Sequence, residues 1–175
     1  MEYKYIQPGN HVRKGREVLR TFELIKGLPV ITGTNGENLG TVTDLCIAEG
    51  KVTGLIVSKR NFLKQKLYLD YSKVLSIGPD GIIISSPEEL EKGITKSIHT
   101  LSHQSPIAGK MVMTSEGRAL GVLHDVYFND EVGTIVGYEI SDGFFSDLQD
   151  GKKIIKSGGA ASIGKDTIIV TPEMT

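Results

Sequence analysis

Apolar and polar positions alternate in short runs along most of this chain, and the runs are closed by glycine-bearing turns. Pro29-Val-Ile-Thr32 leads into Asn35-Gly36, Leu39-Gly-Thr-Val-Thr-Asp-Leu-Cys-Ile47 follows, and after Glu49-Gly50 comes Val52-Thr-Gly-Leu-Ile-Val57. Period-two alternation broken by Asn-Gly predicts a β-hairpin, because both central residues of the tight turn need positive φ. Further short runs, Leu67-Tyr-Leu-Asp70, Gly81-Ile-Ile-Ile-Ser85, Lys153-Ile-Ile155 and Thr167-Ile-Ile-Val-Thr171, predict more strands at the spacing of a small barrel or sandwich.

The pattern occurs twice. Thr34-Asn-Gly-Glu-Asn-Leu-Gly-Thr-Val-Thr-Asp44 returns as Ser115-Glu-Gly-Arg-Ala-Leu-Gly-Val-Leu-His-Asp125, displaced by 81 residues. Gly54 and Ser58 match Gly137 and Ser141 at a displacement of 83, and Ser76-Ile-Gly-Pro-Asp-Gly-Ile82 matches Ser162-Ile-Gly-Lys-Asp-Thr-Ile168 at 86. A displacement that grows only between runs is the mark of loop insertion in a duplicated domain. The glycine pairs Gly36/Gly117, Gly40/Gly121 and Gly54/Gly137, with the carboxylate pair Asp44/Asp125, define the repeat. Gly40 and Gly121 fall inside strand patterns, which predicts a bulge or sharp bend at each.

The division that follows is a polar tail over 1–20, a first domain over 21–86, a connector over 87–105 and a second domain over 106–175. Ser86-Pro87-Glu88-Glu89 reads as a helix start, with Pro at the first helical position and Glu three residues after the cap, and Gly93 ends it within a turn or two. Each domain is small enough that the two are expected to pack on each other or share flanking segments.

The string of Gly, Leu-Gly-x-Val-x-Asp, a turn, Gly-Leu-Ile-Val and a closing Ile-Gly-x-Asp-x-Ile resembles the PRC-barrel family over about 21–86 and 106–172. That family is named for the cytoplasmic domain of the photosynthetic reaction centre H subunit, and a similar domain forms the C-terminal half of a bacterial ribosome maturation factor. The resemblance implies an all-β protein of two tandem small β-barrels joined by a short helical connector. It also implies docking onto a protein partner, and it carries over no catalytic residue.

Composition narrows the setting. Of 175 residues 39% are apolar and 23% charged, and no apolar run reaches the ~20 residues that cross a bilayer. Met1 to Asn10 have no signal-peptide core and Cys46 is the single cysteine, so a cytoplasmic protein without membrane insertion is expected. Residues 1–105 carry 14 Lys/Arg against 11 Asp/Glu, and 106–175 carry 6 against 10.

That asymmetry concentrates at one equivalent loop. Lys59, Arg60, Lys64 and Lys66 surround Phe62 and Leu63 in the first copy, whereas Asp142, Asp147 and Asp150 surround Phe144, Phe145 and Leu148 in the second. Solvated hairpin tips are one reading; complementary binding surfaces, between the two units or two molecules, are the other. Asp44 and Asp125 could serve as acid and base, but carboxylates following a bend more often accept backbone N–H groups. His99 and His103 are spaced as two ligands on a helix would be, with no third ligand nearby, and with His11 and His124 they read as surface histidines.

No nucleotide-binding or nucleophile motif is present, and no cofactor or metal is expected. The expectation is a non-catalytic interaction or adaptor module with a protein partner, or a homo-oligomer. An RNA- or ribosome-associated factor is the alternative, on the basic residues Arg13, Lys14, Arg16 and Arg20 and the basic loop, and a small-ligand-binding protein or enzyme comes third.

Overall fold

The computed structural model describes residues 18–59, 65–93, 99–142 and 152–173. The first sheet is built from β2 (Pro29–Thr32), β3 (Asn38–Ala48), β4 (Lys51–Lys59), β5 (Lys66–Asp70), β6 (Val74–Ile77), β7 (Ile82–Ile84) and β8 (Leu90–Lys92). Their spatial order is β6-β7-β2-β3-β4-β5-β8, with β9 (His99–Thr100) added on β3. The second sheet uses β10 (Met111–Thr114), β11 (Ala119–Asn129), β12 (Ile135–Ser141), β13 (Lys153–Lys156), β14 (Ser162–Ile163) and β15 (Thr167–Val170). Its order is β13-β12-β11-β10-β15-β14, with β1 (Leu19–Thr21) added on β11. The described residues are therefore all-β apart from α1 (Phe22–Ile25) and two 3-10 turns.

Closed barrels were expected, and among the described residues closure is not found. Both sheets are mixed, since β2 runs parallel to β7 and β10 parallel to β15 while the other pairs are antiparallel. The long strands each take two neighbours along one side. The first half of β3 pairs with β2 through Pro29↔Thr41 and Val30↔Gly40, and its second half takes β9 through Cys46↔Thr100 and Ile47↔His99. Likewise β11 pairs with β10 through Met111↔Val122, then takes β1 through Thr21↔Tyr127 and Arg20↔Phe128. A strand from the other unit thus covers the half of β3 or β11 that β2 or β10 leaves open, while β6 and β8, and β13 and β14, remain the ends of the two sheets.

The two units match in fine detail. Thr43 and His124 are the extra residues of equivalent bulges, between Val42 and Asp44 in one unit and Leu123 and Asp125 in the other. Gly54 and Gly137 each sit beside a second equivalent bulge, while Gly36 and Gly117 hold hairpin turns. Gly40 has φ +154 and a Cβ there would lie 2.3 Å from the Ser58 carbonyl oxygen; Gly121 has φ +145 and its Cβ would lie 2.6 Å from that of Ser141. Only glycine fits where a neighbouring strand's carbonyl comes this close.

The expected connector helix is a single 3-10 turn, Pro87–Glu89, whose Ser86 makes no side-chain cap bond. From there the chain extends into β8, which pairs with β5, because edge pairing satisfies more backbone groups than a second helical turn could. Leu19 and Arg20, at the end of the stretch read as tail, lie in β1, and Arg20 meets Asp130 at 3.4 Å and donates to the Ile77 carbonyl at 2.7 Å.

One apolar core runs through both units, including Leu45, Leu55 and Ile82 of the first and Val126, Phe128 and Ile168 of the second. Burying each such side chain is worth roughly 1.5–3 kcal/mol. Tyr71 joins the units at the core's edge: its ring meets Phe128 edge-on with centroids 6.1 Å apart, and its hydroxyl donates to the Asp130 carbonyl at 2.9 Å. The hairpin tips also pair, Val52 N–H donating to Gly133 O at 2.8 Å and Ile135 N–H to Gly50 O at 2.9 Å.

Candidate functional site

The strand exchange carries each unit's leading segment to the capping carboxylate of the other. Asp125, 3% exposed, accepts from Phe22 N–H at 3.1 Å, Glu23 N–H at 2.9 Å and Val126 N–H at 2.7 Å. Asp44, 1% exposed, accepts from Leu45 N–H at 2.9 Å, Ser102 N–H at 3.0 Å and His103 N–H at 2.9 Å. The His103 ring adds Nδ1 to Asp44 Oδ2 at 2.8 Å. Both carboxylates thus hold turns together across the unit boundary. Burial, reinforced by the charge of Glu139, outweighs the three N–H bonds and raises the Asp125 carboxyl above the ordinary carboxylate value.

Between the units lies a cavity of about 240 Å³ lined by Phe22, Glu23, Lys26, Leu101, Ser102, His124 and Asp125. The bulge in β11 aims His124 toward it. Behind His124 a polar cluster forms on Glu139, which receives His124 Nδ1 at 3.0 Å, Lys152 Nζ at 3.2 Å and the Tyr127 hydroxyl at 3.3 Å. Lys152 Nζ lies 3.0 Å from His124 Nδ1 and 2.9 Å from Nε2, so the ammonium meets both ring nitrogens while Nδ1 also faces the Glu139 carboxylate. Burial and the Glu139 charge push the Tyr127 phenol up to about 12. The first unit has Thr43, Ile56 and Cys46 at the places of His124, Glu139 and Tyr127, so this cluster is peculiar to the second.

A second feature lies on the outer face of the second sheet. Val122 opposes Met111, and Met113 lies beside Ile169, placing four apolar side chains in a stripe across β11, β10 and β15. Met111 and Val122 are 38% exposed and Ile169 37%. The equivalent positions of the first sheet are Thr41, Pro29, Ile31 and Ile83.

Of the charged loops, Lys59 ends β4, Lys66 opens β5 and Asp142 follows β12, where it pairs with Lys153. Arg60, Phe62, Lys64, Phe144, Phe145, Asp147 and Asp150 lie outside the described residues. His99 and His103 share no helix: His99 is in β9 with Nδ1 3.0 Å from Ser105 Oγ, and His103 is turned to Asp44. Among the described residues no three His, Cys, Asp or Glu side chains are grouped to hold a metal, and no helix is long and apolar enough to cross a membrane. His124, read from sequence as a surface histidine, lines the cavity, and Glu23, Lys26, Ser102, Glu139 and Lys152 carried no sequence signal, because separate segments bring them there.

Two pseudo-equivalent open sheets, fused through exchanged strands and one core, define the class: a duplicated small β-domain protein with a polar cleft at the seam. The chain belongs to the PRC-barrel domain family, whose model matches it twice, over residues 19–91 and 99–173. It is also similar to the uncharacterized protein YrrD of Bacillus subtilis (strain 168), 36% identical over 155 residues that cover 87% of each chain.

Proposed function

We propose that the chain is a non-catalytic interaction module that docks onto a protein partner in the cytoplasm through the outer face of its second sheet. The observation that carries this is the stripe of Val122, Met111, Met113 and Ile169, contiguous across three strands and partly open to solvent. Contiguous exposed apolar surface in a folded domain commonly marks a contact site. The repeated carboxylates favour the same reading, since Asp44 and Asp125 are engaged in backbone capping rather than facing one another as an acid–base pair. The cytoplasmic setting is supported by the lone, buried Cys46. The RNA alternative has less support: Arg20, of the basic residues that suggested it, is held by Asp130 and Ile77.

The test is affinity recovery from native lysate with the wild-type chain and a Met111→Lys/Ile169→Lys variant side by side, after circular dichroism shows both folded. A partner held by the wild type and lost by the variant supports the reading. Equal recovery by both, or none by either, ends it.

A further inference from the structure

The two capping carboxylates are not equally satisfied. Asp44 Oδ2 is met twice, by the backbone N–H of His103 at 2.9 Å and by its ring Nδ1 at 2.8 Å. Among the described residues Asp125 Oδ2 receives Glu23 N–H alone, at 2.9 Å, although a carboxylate oxygen has room for two donors. Asp125 is 3% exposed and borders the cavity at the seam. The neighbouring cations are placed elsewhere, Lys26 Nζ resting over the Phe22 ring 5.8 Å from its centroid and Lys152 bound at Glu139. A buried carboxylate with no cation against it is costly, and its raised pKa reflects that burial.

We propose that this cavity binds a planar nitrogen cation, a guanidinium or imidazolium, which donates to Asp125 Oδ2 as the His103 ring does to Asp44. The lining suits such a group. Phe22 and Leu101, 5% and 1% exposed, form a nearly buried apolar floor, and Glu23 adds a second carboxylate. A planar cation presents N–H groups in its plane, as the His103 ring does at Asp44. The volume, about 240 Å³, corresponds to about eight waters at about 30 Å³ each, ample for a side-chain head group. This inference does not rest on the apolar stripe.

The experiment follows the backbone amide resonances of the ¹⁵N-labelled full chain during titration, at constant ionic strength. The probes are methylguanidinium, a blocked pentapeptide with a central arginine, and the same peptide with neutral citrulline. Saturable shifts at Phe22, Glu23 and Val126 are expected from both guanidinium probes, with the citrulline peptide weaker by roughly tenfold or more, the factor expected for loss of a charge-assisted bond. Tighter binding of the peptide than of methylguanidinium would assign the site to a side chain of a partner; equal binding would assign it to a free small cation. His103→Ala opens the equivalent position at Asp44, and methylguanidinium should then also shift Leu45, which donates to Asp44 and does not line the cavity. Absence of shifts at Phe22, Glu23 and Val126, an equal response to citrulline, or a silent Leu45 in the folded His103→Ala protein would each overturn the proposal.

Discussion

Asp44 and Asp125 hold the same place in the two repeats, and each binds the backbone of the segment that leads into the other one's unit. Asp125 holds Phe22 and Glu23, at the start of the first unit, and Asp44 holds Ser102 and His103, at the start of the second. The strands just before those residues cross in the same sense, β1 onto β11 and β9 onto β3.

Reciprocal crossing makes the two units one cooperative structure. Thermal unfolding of the full chain should show a single transition, with calorimetric and van't Hoff enthalpies equal. Two resolved transitions would mean that the shared core contributes little to joining the halves.

The paired glycines should be equally intolerant of a side chain. Gly40→Ala and Gly121→Ala each put a methyl group against a carbonyl oxygen, at 2.3 Å and 2.6 Å, on a backbone with strongly positive φ. Each should cost at least about 1–3 kcal/mol, the range for backbone strain alone. Urea unfolding of both variants measures it, with Gly27→Ala as a comparison whose added methyl meets nothing within 4 Å.

Asp125 sets a pH dependence with a definite sign. Its carboxyl titrates higher in the folded chain than in the unfolded one, burial being the largest cause. Between those two values the folded state binds the extra proton, so this residue's contribution becomes more favourable as pH falls through the folded pKa. Asp125→Asn removes that dependence and sets an amide N–H₂ against the Glu23 N–H, at a cost of about 1–3 kcal/mol. The wild type's stability advantage over the variant should therefore widen as pH falls from neutral toward the ordinary carboxylate range; a constant difference by urea unfolding would show that the carboxyl is not shifted in this direction.

Cys46 should be inert. Burial, with the charge of Asp44 beside it, lifts its thiol to about 12, leaving almost no thiolate at neutral pH. A disulfide reagent should label the native chain far more slowly than the chain in denaturant, where one thiol per molecule reacts. Rapid native labelling would place Cys46 in a more open setting than the core between β3 and β4.

The duplication, the alternating runs and the glycine turns determined the class of this protein from sequence alone, because those are local demands. Alternation places Leu45 and Val57 on the buried face of their strands, and Gly36 and Gly117 supply the positive φ of their turns. Register within β3–β4 and β11–β12 follows from the same short-range pattern. Tertiary structure alone decided which unit each leading strand joins, since a two- or three-residue strand such as His99–Thr100 can pair with any open edge and its own residues do not name one. It also decided that the sheets stay open, that a capped start at Ser86 becomes a 3-10 turn feeding β8, and that Asp125, His124, Glu23 and Ser102 border one cavity. Those outcomes depend on edges and carboxylates satisfied by partners far away in the chain, and no local periodicity encodes such a partner.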